Sequence, residues 1–350
     1  MDILPGARAR GRRSCTGGAP RNSSPNRARP CTAAHRASRP SQTPAIDRLL
    51  DPGLGGPAEW AGPAHPHTWS PVTRTRPFAQ VDVFTRVPYA GNPVAVVLDG
   101  TDLDSRAMRA FAAWTNLSET TFVLPPSDPR ADYRLRIFTP GGELPFAGHP
   151  TLGSAHAWWG AGGRPSVPDE VVQECGAGLV PIRREGDTWS FRAPDLVREG
   201  PLDDDLLDTI AAGLRIPRAE IVGHQWVDNG PGWAAVRMPT AQAVLDLEPD
   251  HGVLGDLVLG VVGTYPEGSE RQLEVRAFCG GVGVVEDPVT GSLQASVAQW
   301  LTRTGVLPPD YRAGQGRRVG RDGDVQLRTI DGRIWAGGAC VTCIRGTVDL

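Results

Sequence analysis

"FTPGGELPFAGHPTLGSAHAWW", Phe138–Trp159, passes from a strand-like end through a Gly/Pro loop into Gly148-His149-Pro150-Thr151. A run of small apolar residues follows, and Thr151 to Trp159 predicts a helix. A helix apolar on every side is one buried on every side. Its first turn carries unpaired backbone N–H groups and partial positive charge, a setting for carboxylates and other anions. Glycine and proline there let the backbone come close to a ligand.

The second half repeats this layout in "VRAFCGGVGVVEDPVTGSLQASVAQWL", Val275–Leu301. Arg136-x-Phe138 is echoed by Arg276-x-Phe278, a Gly-rich loop follows in each, and Thr151 and Thr290 stand near the start of an apolar helix. Two copies are too few for a solenoid. They fit two pseudo-symmetric lobes of an α+β protein, each a mostly antiparallel sheet wrapped around a central helix. The two helix N-termini then face one cleft able to hold a small acidic molecule.

The rest of the chain bounds this reading. Of 350 residues, 40% are hydrophobic, enough for a sizeable core. The net charge is −3, with arginine the only strong base, which gives no general pull toward nucleic acid. No apolar run approaches the roughly 20 residues of a membrane span, so a cytoplasmic protein is expected. Met1–Pro40 holds nine arginines against one acid, Asp2, and no hydrophobic period. Residues 1–76 therefore read as a disordered Arg/Pro-rich extension, with a transit peptide or a nucleic-acid arm as lesser readings. The folded part divides into a first lobe at 77–196, completed by 341–350, and a second at 197–340.

Within the folded part, Gln80–Phe84 and Val94–Leu98 read as strands around a Gly91-Asn92-Pro93 turn. Asp104 or Ser105 caps a helix bearing Met108, Phe111 and Ala112. Thr120–Leu124 and the alternating Tyr133, Leu135 and Ile137 read as further strands. Six cysteines make no disulfide framework. Cys340-Val341-Thr342-Cys343 is a lone CxxC on an expected strand, where residues three apart face opposite ways.

Several residues carry possible chemistry. Glu119 in "NLSETTF" would ordinarily be a solvated edge charge. Its apolar neighbours Leu117, Phe122 and Val123 instead suggest a desolvated carboxylate of raised pKa, able to exchange a proton with a carbon acid. His149 alone is more often a cap residue, but beside a bound anion it can donate a hydrogen bond. His156 shares its face, yet no further ligands stand at metal spacing. Asp287 in "EDPVTGS" could be a plain turn residue before Pro288. Ser292 offers a hydroxyl at the same site, but it lacks the strand–elbow–helix setting of a hydrolase nucleophile. Gly280–Val285 lacks the strand-to-helix order of a dinucleotide loop, which argues against nicotinamide or flavin.

"VDVFTRVPYAGNPVAVV", "NLSETTF", "FTPGGELPFAGHPTLG" and "EDPVTGS", in this order, closely resemble the PhzF-like phenazine-biosynthesis isomerases from about Phe78 to the C-terminus. The resemblance implies the diaminopimelate-epimerase-like fold, a cofactor-free and metal-free isomerase, and a homodimer. It puts the catalytic carboxylate on Glu119 and gives catalytic roles to His149 and Asp287. It also puts a substrate-contacting residue on Ser292; together with Gly148, Thr151 and Gly291 of the two helix starts, these are the expected substrate-binding positions. Related epimerases use a cysteine at each helix start. Here Ala147 stands at one, no thiol stands near Asp287, and Cys175 and Cys279 lie elsewhere, which disfavours a two-thiol racemase. "QECGAGLVPI" and "RAFCGGVGVVEDP" depart from the usual family pattern near the cleft. The expected function is to move a proton between carbons of a small carboxylate-bearing metabolite. A silent ligand-binding member of the family, or a related epimerase, is the alternative.

Overall fold

The protein is described by a computed structural model over residues 73–280 and 284–350. Nearly all of the expected N-terminal extension, and Gly281–Gly283 of the Gly-rich loop, lie outside the described residues. The described chain falls within one compact unit, 69–350.

The first half runs β1 (Thr75–Val83), β2 (Asn92–Val97), α1 (Ser105–Thr115), β3 (Glu119–Leu124), β4 (Tyr133–Phe138), β5 (Glu143–Leu144), α2 (Gly148–Gly160), β6 (Glu170–Cys175), β7 (Gly178–Glu185) and β8 (Thr188–Arg192). After β9 (Arg198–Gly200) and α3 (Asp204–Leu214) the order recurs. The second half runs β10 (Gly223–Asp228), β11 (Ala234–Met238), α4 (Ala241–Leu245), α5 (His251–Leu254), β12 (Val258–Thr264), β13 (Leu273–Cys279), β14 (Val284–Asp287), α6 (Gly291–Arg303), β15 (Tyr311–Gln315), β16 (Gly323–Ile330) and β17 (Arg333–Asp349).

The strand pairings repeat as well. β2 lies parallel to β3, as β11 does to β12. β3–β4 and β12–β13 are antiparallel, while β4–β6 and β13–β15 are parallel. Each lobe is thus a mixed, mostly antiparallel sheet with an apolar helix inside, and the fold is α+β with internal pseudo-symmetry. At the seam, β8 and the first part of β17 run antiparallel. From Cys340 onward β17 pairs with β1 and closes the ring of the first lobe. The chain beyond β8 likewise pairs with β10 through β9.

Sequence chemistry explains the elements. α1 is capped by Asp104, whose carboxylate accepts from Ala107 N, and buries Met108, Phe111 and Ala112. α2 buries Leu152 and Ala155 among Val81, Val83 and Val94 of β1 and β2. The echoed Arg-x-Phe motifs have one structural meaning in both halves. Arg136 lies over Phe138 and grips Glu143 with two hydrogen bonds, at 2.7 and 2.6 Å. Arg276 lies over Phe278 and grips Glu286, at 3.0 and 2.8 Å.

Two expectations change. The strand expected over Gln80–Phe84 starts earlier, at Thr75, and within it Arg76 is buried and donates to the carbonyls of Asp99 and Thr101 at 2.8 and 2.7 Å. The strand through Cys340 and Cys343 does not alternate simply. β17 carries a bulge there, with Gln80 opposite Ile344 and Val81 opposite Thr342, so Cys343 is the extra residue. Both thiols are free.

Candidate active site

Glu119 opens β3, directly beside Val94 of the parallel β2. Asn92, two residues earlier on β2, is therefore close by. His149 is the second residue of α2, and Ser292 is its counterpart in α6. Asp287 ends β14, three residues before the α6 cap, Thr290. The two helix starts meet: a Cβ added at Gly148 would lie 3.1 Å from Gly291 Cα, and one at Gly291 would lie 3.2 Å from His149 N. Glycine stands at both positions because any side chain would force the two backbones apart.

The charged groups gather at this junction. Glu119 Oε2 lies 3.4 Å from His149 Nε2. Both atoms are enclosed and have no hydrogen-bond partner. Burial pushes the Glu119 carboxyl well above its ordinary range, and the Asp287 charge pushes it further. Burial also drives the His149 imidazole down to about 3. Both shifts favour the uncharged forms and so disfavour an ion pair between the two groups.

Asp287 differs. Burial raises it too, but Thr290, Asn92 and Ser118 donate hydrogen bonds that oppose the rise. Thr290 Oγ1 donates at 2.5 Å and Asn92 Nδ2 at 3.0 Å. Gln315 braces the arrangement, donating to the Asp287 carbonyl at 3.0 Å and to Thr290 Oγ1 at 2.9 Å. Glu119 has no such donors. The environments thus separate the two carboxyls: Asp287 ionises more readily, and Glu119 holds its proton longer.

Of the expected site residues, Glu119, Asp287, His149, Gly148, Gly291 and Ser292 come together. Thr151 does not. It is fully buried inside the first lobe, and its Oγ1 accepts from Gln173 Nε2 at 3.0 Å, so its hydroxyl is engaged away from the cluster. Ser292 Oγ accepts from the Trp233 indole N–H at 3.1 Å, and Asn229 donates to the Ser292 carbonyl at 3.0 Å. His156 bonds Thr342 Oγ1 at 3.0 Å, apart from the cluster. Among the described residues no group of His, Cys, Asp and Glu is arranged to hold a metal ion, and no helix is long and apolar enough to cross a membrane. Cys279, in the segment expected near the cleft, stands close to the site. Asp287 and Glu119 act on its thiol, which burial holds far above its ordinary value.

Asn92, Ser118, Thr290, Gln315, Asn229 and Trp233 were not foreseen. Ser118 was legible as the neighbour of Glu119, and Asn92 as the polar member of a Gly-Asn-Pro turn. Gln315 lies far away in sequence and gives no local signal.

Comparison with known proteins bears on this arrangement. The family model for phenazine biosynthesis-like protein, PhzC-PhzF, matches residues 81–346. The chain is 35% identical over 257 residues to trans-2,3-dihydro-3-hydroxyanthranilate isomerase of Pseudomonas aeruginosa, covering 72% of this chain and 89% of the relative. It is also 35% identical over 289 residues to antisense-enhancing sequence 1 of Schizosaccharomyces pombe, covering 77% and 97%. A solved predicted epimerase from Pseudomonas aeruginosa superposes with a TM-score of 0.63 at 27% identity, covering 78% of this chain and 99% of that one. With its four motifs, its repeated lobes and a family match across nearly all of the folded part, the chain belongs to the PhzC-PhzF phenazine biosynthesis-like protein family.

Proposed function

We propose that the protein is an isomerase that moves a proton between carbons of a small carboxylate-bearing metabolite with its own side chains. The observation that carries this is the Glu119 carboxyl, raised in pKa with its Oε2 enclosed and unpartnered, beside the second carboxyl of Asp287. A raised carboxyl is a stronger base once ionised, and so better matched to a carbon acid near neutral pH. Glu119 would take a proton from carbon and return it to another. The amide groups of the α2 and α6 starts, with the Ser292 hydroxyl, would hold the substrate carboxylate and the enol-like charge. Asp287, held among its donors, would orient the substrate. The relatives named trans-2,3-dihydro-3-hydroxyanthranilate isomerase support the class of reaction.

The test is to offer trans-2,3-dihydro-3-hydroxyanthranilate and other small unsaturated carboxylates in deuterated water and follow products by NMR. Conversion to a double-bond isomer of unchanged composition supports the reading. Tight binding of such acids without conversion of any would overturn it in favour of a binding protein.

A further inference from the structure

The Ser292 hydroxyl is held by a residue that the proposed reaction does not use. Trp233 stands just before β11, at the end of the β10–β11 loop, and is 2% exposed. Its indole N–H donates to Ser292 Oγ at 3.1 Å. An indole nitrogen can only donate, so the direction of this bond is fixed. Ser292 Oγ accepts, and its own proton points away from the ring. Asn229, from the same loop, donates to the Ser292 carbonyl at 3.0 Å. Both contacts bring donors to Ser292, and the residue itself is only half-buried.

The loop is built to hold these two donors in place. Asp228 Oδ1 accepts from Gly230 N and Gly232 N, each at 2.7 Å, and Val227 N donates to the Trp233 carbonyl at 2.9 Å. The chain between Asp228 and Trp233 is thereby tied back on itself. The first lobe has a matching device. Asn92 opens β2 as Trp233 precedes β11, and its amide nitrogen lies 3.3 Å from His149 Nδ1. His149 and Ser292 are each the second residue of their helix. In both lobes a donor at the start of a strand thus faces the second residue of the buried helix. The Asn92 amide is shared with Asp287 Oδ1 and Val289 O, whereas the indole has one hydrogen and Ser292 takes it.

We propose that Trp233 is a positioning residue that locks the Ser292 hydroxyl as a hydrogen-bond donor at the α6 start, so that this end of the cleft selects a ligand atom that accepts, such as a carboxylate oxygen, over an N–H or O–H. A hydroxyl that accepts from the indole while donating to an anion is strengthened at both ends. The role rests on the reading of Ser292 as part of the anion site, but not on any proton transfer to carbon.

The experiment titrates the full chain with benzoate and with benzamide, a neutral analogue whose amide brings N–H donors, using calorimetry and proton–nitrogen NMR of the tryptophan indoles. Wild type should bind benzoate more tightly than benzamide, and benzoate should move the Trp233 indole proton downfield. Trp233→Phe keeps a ring in the core but removes the N–H. It should weaken benzoate roughly 2–10-fold, the worth of one hydrogen bond, and leave benzamide nearly unchanged. In a Ser292→Ala background the same change should not alter benzoate affinity. Equal losses for the two ligands, or the same loss with and without the serine hydroxyl, would reduce Trp233 to packing and overturn the proposal, as would a wild type that binds neither. Should Trp233→Phe not fold, the indole signal decides: Ser292→Ala should move it upfield, and an unmoved signal would refute the contact. A protein that prefers benzoate in this way yet isomerises no acid loses the proposed reaction and keeps the role of Trp233.

Discussion

At the scale of single residues, the site is governed by desolvation. Glu119→Gln keeps the shape of the side chain but cannot carry a proton to or from carbon. Turnover is expected to fall by ~10²–10⁴-fold, as for loss of a general base. The same change should stabilise the fold. A carboxyl raised by burial contributes stability below its unfolded value of 4.5 and loses it as pH rises through the folded value. The melting temperature of Glu119→Gln should therefore exceed that of wild type above pH 4.5, by a margin that grows with pH. A margin that does not change with pH would mean Glu119 is solvated. His149 works in the opposite direction. Its folded value is depressed to about 3 from 6.5, so its contribution is full above 6.5 and is lost as pH falls toward 3. His149→Gln should remove that part of the acid sensitivity, which urea titrations between pH 7 and 4 would measure.

At the scale of elements, the meeting of two helix starts is the controlling contact. A Cβ at Gly148 would come 2.8 Å from Phe191 Cζ, a buried ring, as well as 3.1 Å from the Gly291 backbone. Gly148→Ala is expected to cost about 1–3 kcal/mol by overpacking. Gly142→Ala, earlier in the same loop with open space around it, should stay within about 0.5 kcal/mol of wild type. Equal denaturation midpoints for the two variants would show that the helix starts can separate freely. The echoed ion pairs offer a second comparison. Arg276–Glu286 is buried, at 5% and 8% exposure, whereas Arg136–Glu143 is more open, at 17% and 40%. Arg276→Met leaves a buried carboxylate unpaired and should cost about 3–5 kcal/mol. Arg136→Met should cost about 1 kcal/mol or less. The same sequence motif thus yields different energies because only one copy is shut away from water.

At the scale of the whole molecule, closure of the first ring depends on the last strand of the chain. β17 pairs along nearly all of β1, from Val83–Cys340 to Thr75–Asp349. A chain ending at Cys340 should lose the cooperative melting transition, because β1 would have a bare edge and α2 an open side. Retention of a sharp transition by circular dichroism would contradict this account of closure. At the other end, a chain beginning at Pro77 should melt below one beginning at Thr73, since it lacks the buried Arg76 and its two carbonyl contacts. We also propose that the protein is a homodimer, which sedimentation equilibrium would test.

The sequence by itself determined what depends on local spacing. The apolar run Thr151–Trp159 read as a buried helix, a second apolar helix was expected near Thr290, and the Arg-x-Phe echoes marked a duplicated unit. The four motifs then selected the family. Glu119, His149, Asp287, Gly148, Gly291 and Ser292 were legible because each sits in a short motif at the start of a strand or helix. The tertiary structure alone decided how they work. Asn92 reaches Asp287 across 195 positions and Gln315 reaches Thr290 across 25, and no local pattern encodes such partners. Thr151 straddles this divide: it belongs to the helix-start motif, and only the turn of α2 shows its hydroxyl carried inward to Gln173. The protonation states of Glu119 and His149 were likewise fixed only by folding, because desolvation depends on which residues of both lobes close around a group, and the order of the chain does not give that.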